Sequence, residues 1–245
     1  FVAAGVLEGA ERVFGLHTAY DLEAGTVGLK PGINNAAVDH FRIRVHGKST
    51  HVSTPHLGVD ALYIASQIVV AVQGLVTRRT SPTEPVIIGI GKLNAGTTYN
   101  AVAAFAEMEG TTRTISQESR DRVRAQVSET AQSIAALYGG TAEVEWTAFA
   151  AALVNDPQVC EEAARVVDEL LGAGHVVTDR ELSLSGDNFA EFELYKPGAY
   201  AYLGTGNPDL PHTMITNHNG GFDVDENALV TGAGLYVGYT VARLG

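Results

Sequence analysis

Cysteine is almost absent. The 245-residue chain has one, Cys160, together with one tryptophan and two methionines. A single thiol excludes an internal disulfide, and no CxxC pair is available for redox or metal chemistry. Positive charge is also scarce: 16 Lys and Arg stand against 28 Asp and Glu, a net charge of −12. A nucleic-acid-binding face needs clustered Lys and Arg, and no such cluster stands out, which argues against a nucleic-acid partner. A small anionic substrate is not excluded, because one arginine can hold it. No apolar run approaches the ~20 residues needed to span a membrane, so no membrane partner is expected. No secretory leader is expected, and no internal repeat, low-complexity tract, glycine-rich phosphate loop or Ser-His-Asp order stands out. The chain opens on Phe in FVAAGVLEGAE, which reads as a helix already under way, so the expectation is a piece of a longer protein. The lone thiol is compatible with a reducing cytoplasm, the expected location, and Cys160 is expected to be buried in a helix.

What is present suits a real core: 45% hydrophobic and 18% charged residues, enough for one large domain or two small ones. The organising stretch is VDHFRIRVHGKSTHVSTPH, residues 38–56. Phe41, Ile43 and Val45 alternate with Arg42, Arg44 and His46, the period of a strand with one buried face. A Gly-Lys-Ser-Thr turn then carries His51 and His56 onto a loop ahead of an amphipathic helix over 58–79. Strands are predicted over 85–92 and 104–114, the latter burying Phe105, Met108 and Gly110. A helix follows over 117–138, begun by Ser116, and then a strand over 141–147. The order β-α-β-β-α-β is that of a ferredoxin-like α+β domain, whose open edge favours pairing with a second copy.

On either side the style differs. Residues 2–8 read as a helix end closed by Gly9, 12–19 as a strand carrying His17, and 25–29 as a short strand before a turn at 30–32. Later come a helix from Pro157 to about Leu171, a loop into a short helix over 182–192, a buried strand over 199–208 and a helix over 225–243. The organisation is nested: 1–35 and 148–245 form one α/β domain, with 36–147 inserted.

Eight histidines need sorting. His40 and His46 point away from the buried face of their strand and read as surface residues, and His175 lies in a glycine-flanked loop. His17 ends a strand, the place where α/β sheets bind ligands. His218 precedes a helix. Imidazole is a common ligand for zinc, cobalt or manganese, but two histidines 201 residues apart equally suit a satisfied core or loop. Gly204-Thr205-Gly206-Asn207 offers backbone N–H groups to an anion, and the same residues also suit a tight turn. Arg113, at a strand end, has the fork geometry that grips a carboxylate.

Taken in order, AAGVLEGAERVFGLHTAYDLEAGTVGLKPG, HGKSTHVSTPHLGVDAL, GTTYNAV, EGTTRT, VNDP, LSGDNFAEF, YLGTGNP and NHNGGFDVDENAL resemble the zinc-dependent aminoacylase and carboxypeptidase superfamily. The branch is that of hippurate hydrolases, N-acyl-amino-acid amidohydrolases and auxin-conjugate hydrolases. The resemblance implies a metallopeptidase-like α/β catalytic domain with an inserted dimerisation or lid domain over 36–147, acting as a homodimer. It implies two divalent ions (Zn, Mn or Co) that polarise the amide of an N-acyl amino acid or dipeptide and activate a water. His17 and His218 match its metal ligands. His51 matches the histidine that stabilises the oxyanion in the partner's site. Asn100, Arg113 and Gly206 match its substrate-binding positions. Departures exist. Asn100 is followed by Ala-Val-Ala rather than Val-Ile-Pro, and Gly186-Asp187-Asn188-Phe189 replaces Gly-Glu-Asp-Phe. The family's early segment, with the remaining ligands and the general-base glutamate, has no counterpart here. The chain as it stands is therefore expected to bind metal weakly and to be inactive.

Overall fold

The computed structural model describes residues 1–244. In chain order its elements begin with β1 (Val13–Glu23), β2 (Val27–Gly28), β3 (Gly32–Asn35) and β4 (Ala37–His46). They continue with α1 (Ala61–Arg78), β5 (Ile87–Ala95), β6 (Phe105–Thr114), α2 (Gln117–Leu137) and β7 (Thr141–Ala150). The last are β8 (Leu153–Asn155), α3 (Pro157–Leu171), β9 (Val176–Val177), α4 (Ala190–Glu193), β10 (Gly198–Gly206) and α5 (Asn227–Leu244). Two compact units result: one of residues 1–35, 153–183 and 187 onward, the other of 36–152 with 184–186. The division falls at 152 rather than 147 because β7 runs on to Ala150.

In the inserted unit the sheet order is β5-β6-β4-β7, every pairing antiparallel. Phe41, Ile43 and Val45 of β4, with Ala106 and Met108 of β6, face the buried sides of α1 and α2. Phe105 is 44% exposed, against expectation, because it pairs with His46 and alternation turns it to the open face. Asp60 caps α1 through its side chain, accepting from the Leu62 and Tyr63 N–H groups, and Ser116 caps α2. By length and composition alone α1 is apolar enough to cross a membrane, which simple run-counting missed, but Ala61, Ile64, Ala65, Ile68, Val72 and Leu75 are buried in this core.

The glycine of Gly110-Thr111-Thr112-Arg113 has a packing reason. It pairs with Phe41, and a Cβ there would overlap the Phe41 ring and the Gly89 carbonyl. Gly110→Ala is expected to cost about 1–3 kcal/mol by overpacking, read as a lower urea midpoint; an unchanged midpoint would contradict this packing.

In the outer unit β1 and β10 run parallel, β10 pairs antiparallel with β2, and β9 completes the sheet. Its core packs α3 and α5 residues such as Val159, Val166 and Leu235 against Ala199, Ala201 and Leu203 of β10. Residues 2–8 are not a helix end: only Val2–Ala4 make a 3-10 turn, closed by the left-handed Gly5. β3, β8 and β9, at four residues or fewer, show no period of their own in the sequence. Cys160 is buried in α3, and its thiol is pushed up to about 12 by that burial, with Glu193 and Asp156 adding to it, so it is not a nucleophile.

Glu193 ties α4 to β8. Its Oε2 accepts from the Val154 N–H at 2.9 Å while Oε1 is buried without a partner. Burial pushes this carboxyl up to about 7, Asp156 contributes in the same direction, and the Val154 bond opposes. The folded state therefore holds the proton more tightly than the unfolded chain. Stability should fall as pH rises from the ordinary 4.5 to about 7 and then level off. Glu193→Gln should remove that slope and gain about 2 kcal/mol above pH 7, measured by urea unfolding at pH 5 and pH 8. An identical slope in both proteins would refute the assignment.

Candidate functional site

The loop after β4 is closed at its base by a two-bond ladder: Lys48 N donates to Val59 O at 2.8 Å and Val59 N to Lys48 O at 2.9 Å. Gly47 and Gly58 permit it, since a Cβ on either would strike the facing backbone. At the tip, His51 bridges to Ala101, Val52 N donates to Asn100 O at 3.2 Å, and Val102 N donates to Thr50 O at 2.8 Å. Two predicted site residues, His51 and Asn100, thus meet on paired loops. The Asn100 Oδ1 accepts from Thr98 Oγ1 at 3.1 Å. His51 is exposed, and its Nδ1 accepts from the Ser53 N–H at 3.2 Å and lies 2.7 Å from Ser53 Oγ. A backbone N–H can only donate, so in the neutral ring Nδ1 is the acceptor and Nε2 carries the proton. His51 is thereby set as an outward-pointing donor.

Arg113 lies elsewhere. It pairs with Val38 and Ile87, whereas the loop end of β6 is Phe105 opposite His46. Eight strand residues separate the two ends, about 26 Å. A single copy does not bring Arg113 to His51 and Asn100.

In the outer unit His17 is half-buried within β1, which continues six residues past it rather than ending there. Its Nδ1 lies 2.7 Å from Thr18 O. A carbonyl only accepts, so Nδ1 carries the proton and Nε2 keeps its lone pair, the state of a metal-ligating histidine with its outer partner in place. Tyr200 and Tyr202 flank it, ring centroids 6.1 and 6.0 Å away. They went unnoticed in the sequence because their approach depends on the parallel register that sets His17 against Tyr202. Asp187, of the altered Gly-Asp-Asn-Phe motif, is already used: Oδ1 accepts from Phe189 N and Oδ2 from Tyr200 OH, each at 2.8 Å. Burial first, and then this bond to a carboxylate, raise the Tyr200 hydroxyl above its ordinary value.

His218 is exposed with φ +62°, a left-handed backbone on a non-glycine residue. The loop bearing it is clamped at both ends: Asn207 Nδ2 donates to Asp225 Oδ2 at 2.7 Å, and Asp225 N to Thr205 O at 3.0 Å. His212 instead approaches Asp223 at 3.8 Å. Gly206 lies at the end of β10. It is buried within β10, its carbonyl accepts from Ala24 N, and a Cβ would strike the Tyr20 carbonyl. The Gly204 N–H is donated to Thr26 O and the Asn207 N–H to Thr213 Oγ1, so two of the segment's N–H groups are already engaged, and its residues to Gly206 continue β10 rather than forming a tight turn.

For a metal the donor set fits only in part. His17 presents a free Nε2, but among the described residues no group of three or more His, Cys, Asp or Glu side chains converges. A catalytic zinc takes three protein ligands, so the described residues do not hold such an ion by themselves.

The fold and these residues define a metallopeptidase-like α/β protein with an inserted dimerisation domain. Residues 36–138 match the peptidase dimerisation domain family. N-acetyl-L-cysteine deacetylase of Bacillus subtilis is 35% identical over 226 residues, 92% of this chain and 52% of that protein. Thermostable carboxypeptidase 1 of Saccharolobus solfataricus is 33% identical over 233 residues, 95% of this chain and 58% of its own length. The crystal structure of a dinuclear metal binding peptidase of the M20 family from Bacillus subtilis aligns with a TM-score of 0.79 at 31% identity, covering 99% of this chain and 60% of that one. The chain thus carries a peptidase dimerisation domain over residues 36–138, and the relatives it resembles are deacetylases, carboxypeptidases and a metal-binding peptidase of the M20 family. It spans about half the length of the curated relatives it matches.

Proposed function

We propose that this protein acts as a metal-dependent amidohydrolase that releases an amino acid from an N-acyl amino acid. The observation that carries the reading is the fixed Nε2–H donor of His51 on a loop hydrogen-bonded to that of Asn100. A preoriented donor of this kind suits the oxyanion that forms when water adds to an amide carbonyl. Divalent ions would supply the activated water and polarise the carbonyl, with His17 Nε2 and His218 among a wider set of ligands. Asn100 and Arg113 bind the substrate carboxylate, the latter through its guanidinium fork.

One copy is not enough in this reading, because Arg113 stands about 26 Å along β6 from the loop end that bears His51. The site is completed by a second copy, whose His51 serves the partner's reaction. The surface for pairing is the outward side of α1, which carries no charged residue from Ala61 to Thr77 and exposes Leu62, Tyr63 and Val70. The adjoining edge strand β5 exposes Ile87 and Leu93. The test is hydrolysis of a panel of N-acyl amino acids and dipeptides by the full-length protein, rather than these 245 residues alone, loaded with cobalt, manganese or zinc. Release of amino acid that stops on chelation is expected. Turnover of dipeptides alone would move the assignment to a dipeptidase or carboxypeptidase, and no turnover of any member would leave a non-catalytic binding protein.

A further inference from the structure

Two glycines open a shelf on the face of the outer sheet that carries His17. A Cβ on Gly15, two residues earlier on β1, would sit 2.8 Å from the Phe189 ring and 2.9 Å from the Tyr200 ring, and one on Gly28 would strike the Arg180 side chain. Aromatic rings fill the space so left. Tyr200 stacks on Phe189, centroids 4.9 Å apart with the planes at 24°, and meets Tyr202 edge-on at 5.7 Å. Both tyrosines flank His17, and both are tied down at the hydroxyl: Tyr200 donates to Asp187 Oδ2 at 2.8 Å, and Tyr202 to Asn35 Oδ1 at 2.6 Å. The Arg180 guanidinium lies over Tyr202, 4.3 Å from the ring centre. Rings fastened in this way limit how far the imidazole beside them can turn. The bond to Thr18 O selects which nitrogen carries the proton, but the second torsion of a histidine is broad, and one bond leaves the ring free to tilt. Asp187 is the anchor of the cluster, because its two oxygens hold the Phe189 N–H and the Tyr200 hydroxyl.

We propose that Asp187 and Tyr200 are positioning residues for His17: the carboxylate pins the Tyr200 ring, and the pinned ring holds the imidazole at the tilt that presents Nε2 to a divalent ion. The inference rests on His17 as a ligand in the amidohydrolase reading, and it gives Asp187 no bond to the ion itself. The test is cobalt binding by the full-length protein, followed by calorimetry and by the visible absorption of the ion. Tyr200→Phe, which keeps the ring and loses the bond, and Asp187→Ala should each weaken cobalt binding about tenfold and alter the absorption. The double variant should lose no more than either, because both changes remove one and the same bond. Asp187→Asn can still bond the Phe189 N–H and the Tyr200 hydroxyl, and should restore near wild-type binding. Losses that multiply in the double variant, to about a hundredfold, would mean independent roles and overturn the proposal. Asp187→Asn binding as weakly as Asp187→Ala would make the carboxylate a ligand and overturn it as well. The imidazole nitrogen NMR shifts of His17 in the metal-free protein give a second readout: one tautomer in wild type, a mixture in Tyr200→Phe, with unchanged shifts contradicting the clamp. His17→Ala that binds cobalt as wild type does refutes the ligand reading and the positioning with it. A weakened His17→Ala beside an unaffected Tyr200→Phe refutes the positioning alone.

Discussion

Asp39→Ala is expected to destabilise the inserted unit by about 3–5 kcal/mol, a large share of the roughly 5–15 kcal/mol that holds a domain together. Asp39 is 1% exposed on the helix-facing side of β4. It accepts from Arg120 Nε at 3.1 and 3.0 Å, from the Arg120 terminal nitrogen at 2.6 Å and from Arg124 Nε at 2.9 Å. Burial works against its charge, yet the hydrogen bonds from Arg120 and then Arg124 prevail and hold the carboxyl below its ordinary value. Removing it leaves two guanidinium groups at the end of the core with their counter-charge gone. Replacing a whole buried pair by apolar groups is often neutral, so the cost comes from what is left behind. Trp146, the one tryptophan, reports on the event directly. It packs against Phe41 at 5.2 Å, lies 5.7 Å from the Arg124 guanidinium and donates to Ser128 Oγ. Urea unfolding followed by Trp146 fluorescence should show the midpoint collapse in Asp39→Ala, and a midpoint within experimental error of wild type would refute the argument.

His51→Ala should lower kcat by about 10²–10³ with KM nearly unchanged, the cost of one oxyanion donor. The fold should not notice. His51 is exposed, and the loop that carries it is held by the Lys48–Val59 ladder and the Asn100 and Val102 bonds, all made by backbone atoms. Steady-state kinetics and thermal unfolding on the same preparation separate the two effects. A drop in stability matching the drop in rate would reduce His51 to a structural residue, and an unchanged rate would remove it from the reaction.

The strongly periodic elements were legible from the sequence because each buries one face. The alternation of Phe41, Ile43 and Val45 and the apolar series from Ala61 to Leu75 point to the elements they form. The short strands were not legible, since β3, β8 and β9 are defined by partners distant in the chain. The same limit applied to the site. His17 and His51 stand out as residue types, but their tautomers depend on Thr18 O and the Ser53 N–H, which are conformational facts. The glycines of Gly204-Thr205-Gly206 are required by close backbone approaches to Glu23 and Tyr20, which no local pattern in the sequence announces. The separation of Arg113 from His51 needed the β4–β6 register, and that register is what turns a list of site residues into an argument for two copies.

The central claim, a hydrolytic site shared between copies, is tested most directly by mixing inactive subunits. His51→Ala and His17→Ala proteins, each inactive alone, would be unfolded together, refolded and assayed for hydrolysis of an N-acyl amino acid in the presence of the metal. If His51 serves the partner's site, half the dimers are mixed and each has one intact site, so about a quarter of wild-type turnover returns. A mixture as inactive as its components would contradict the account and place His51 either in its own copy's site or outside the reaction.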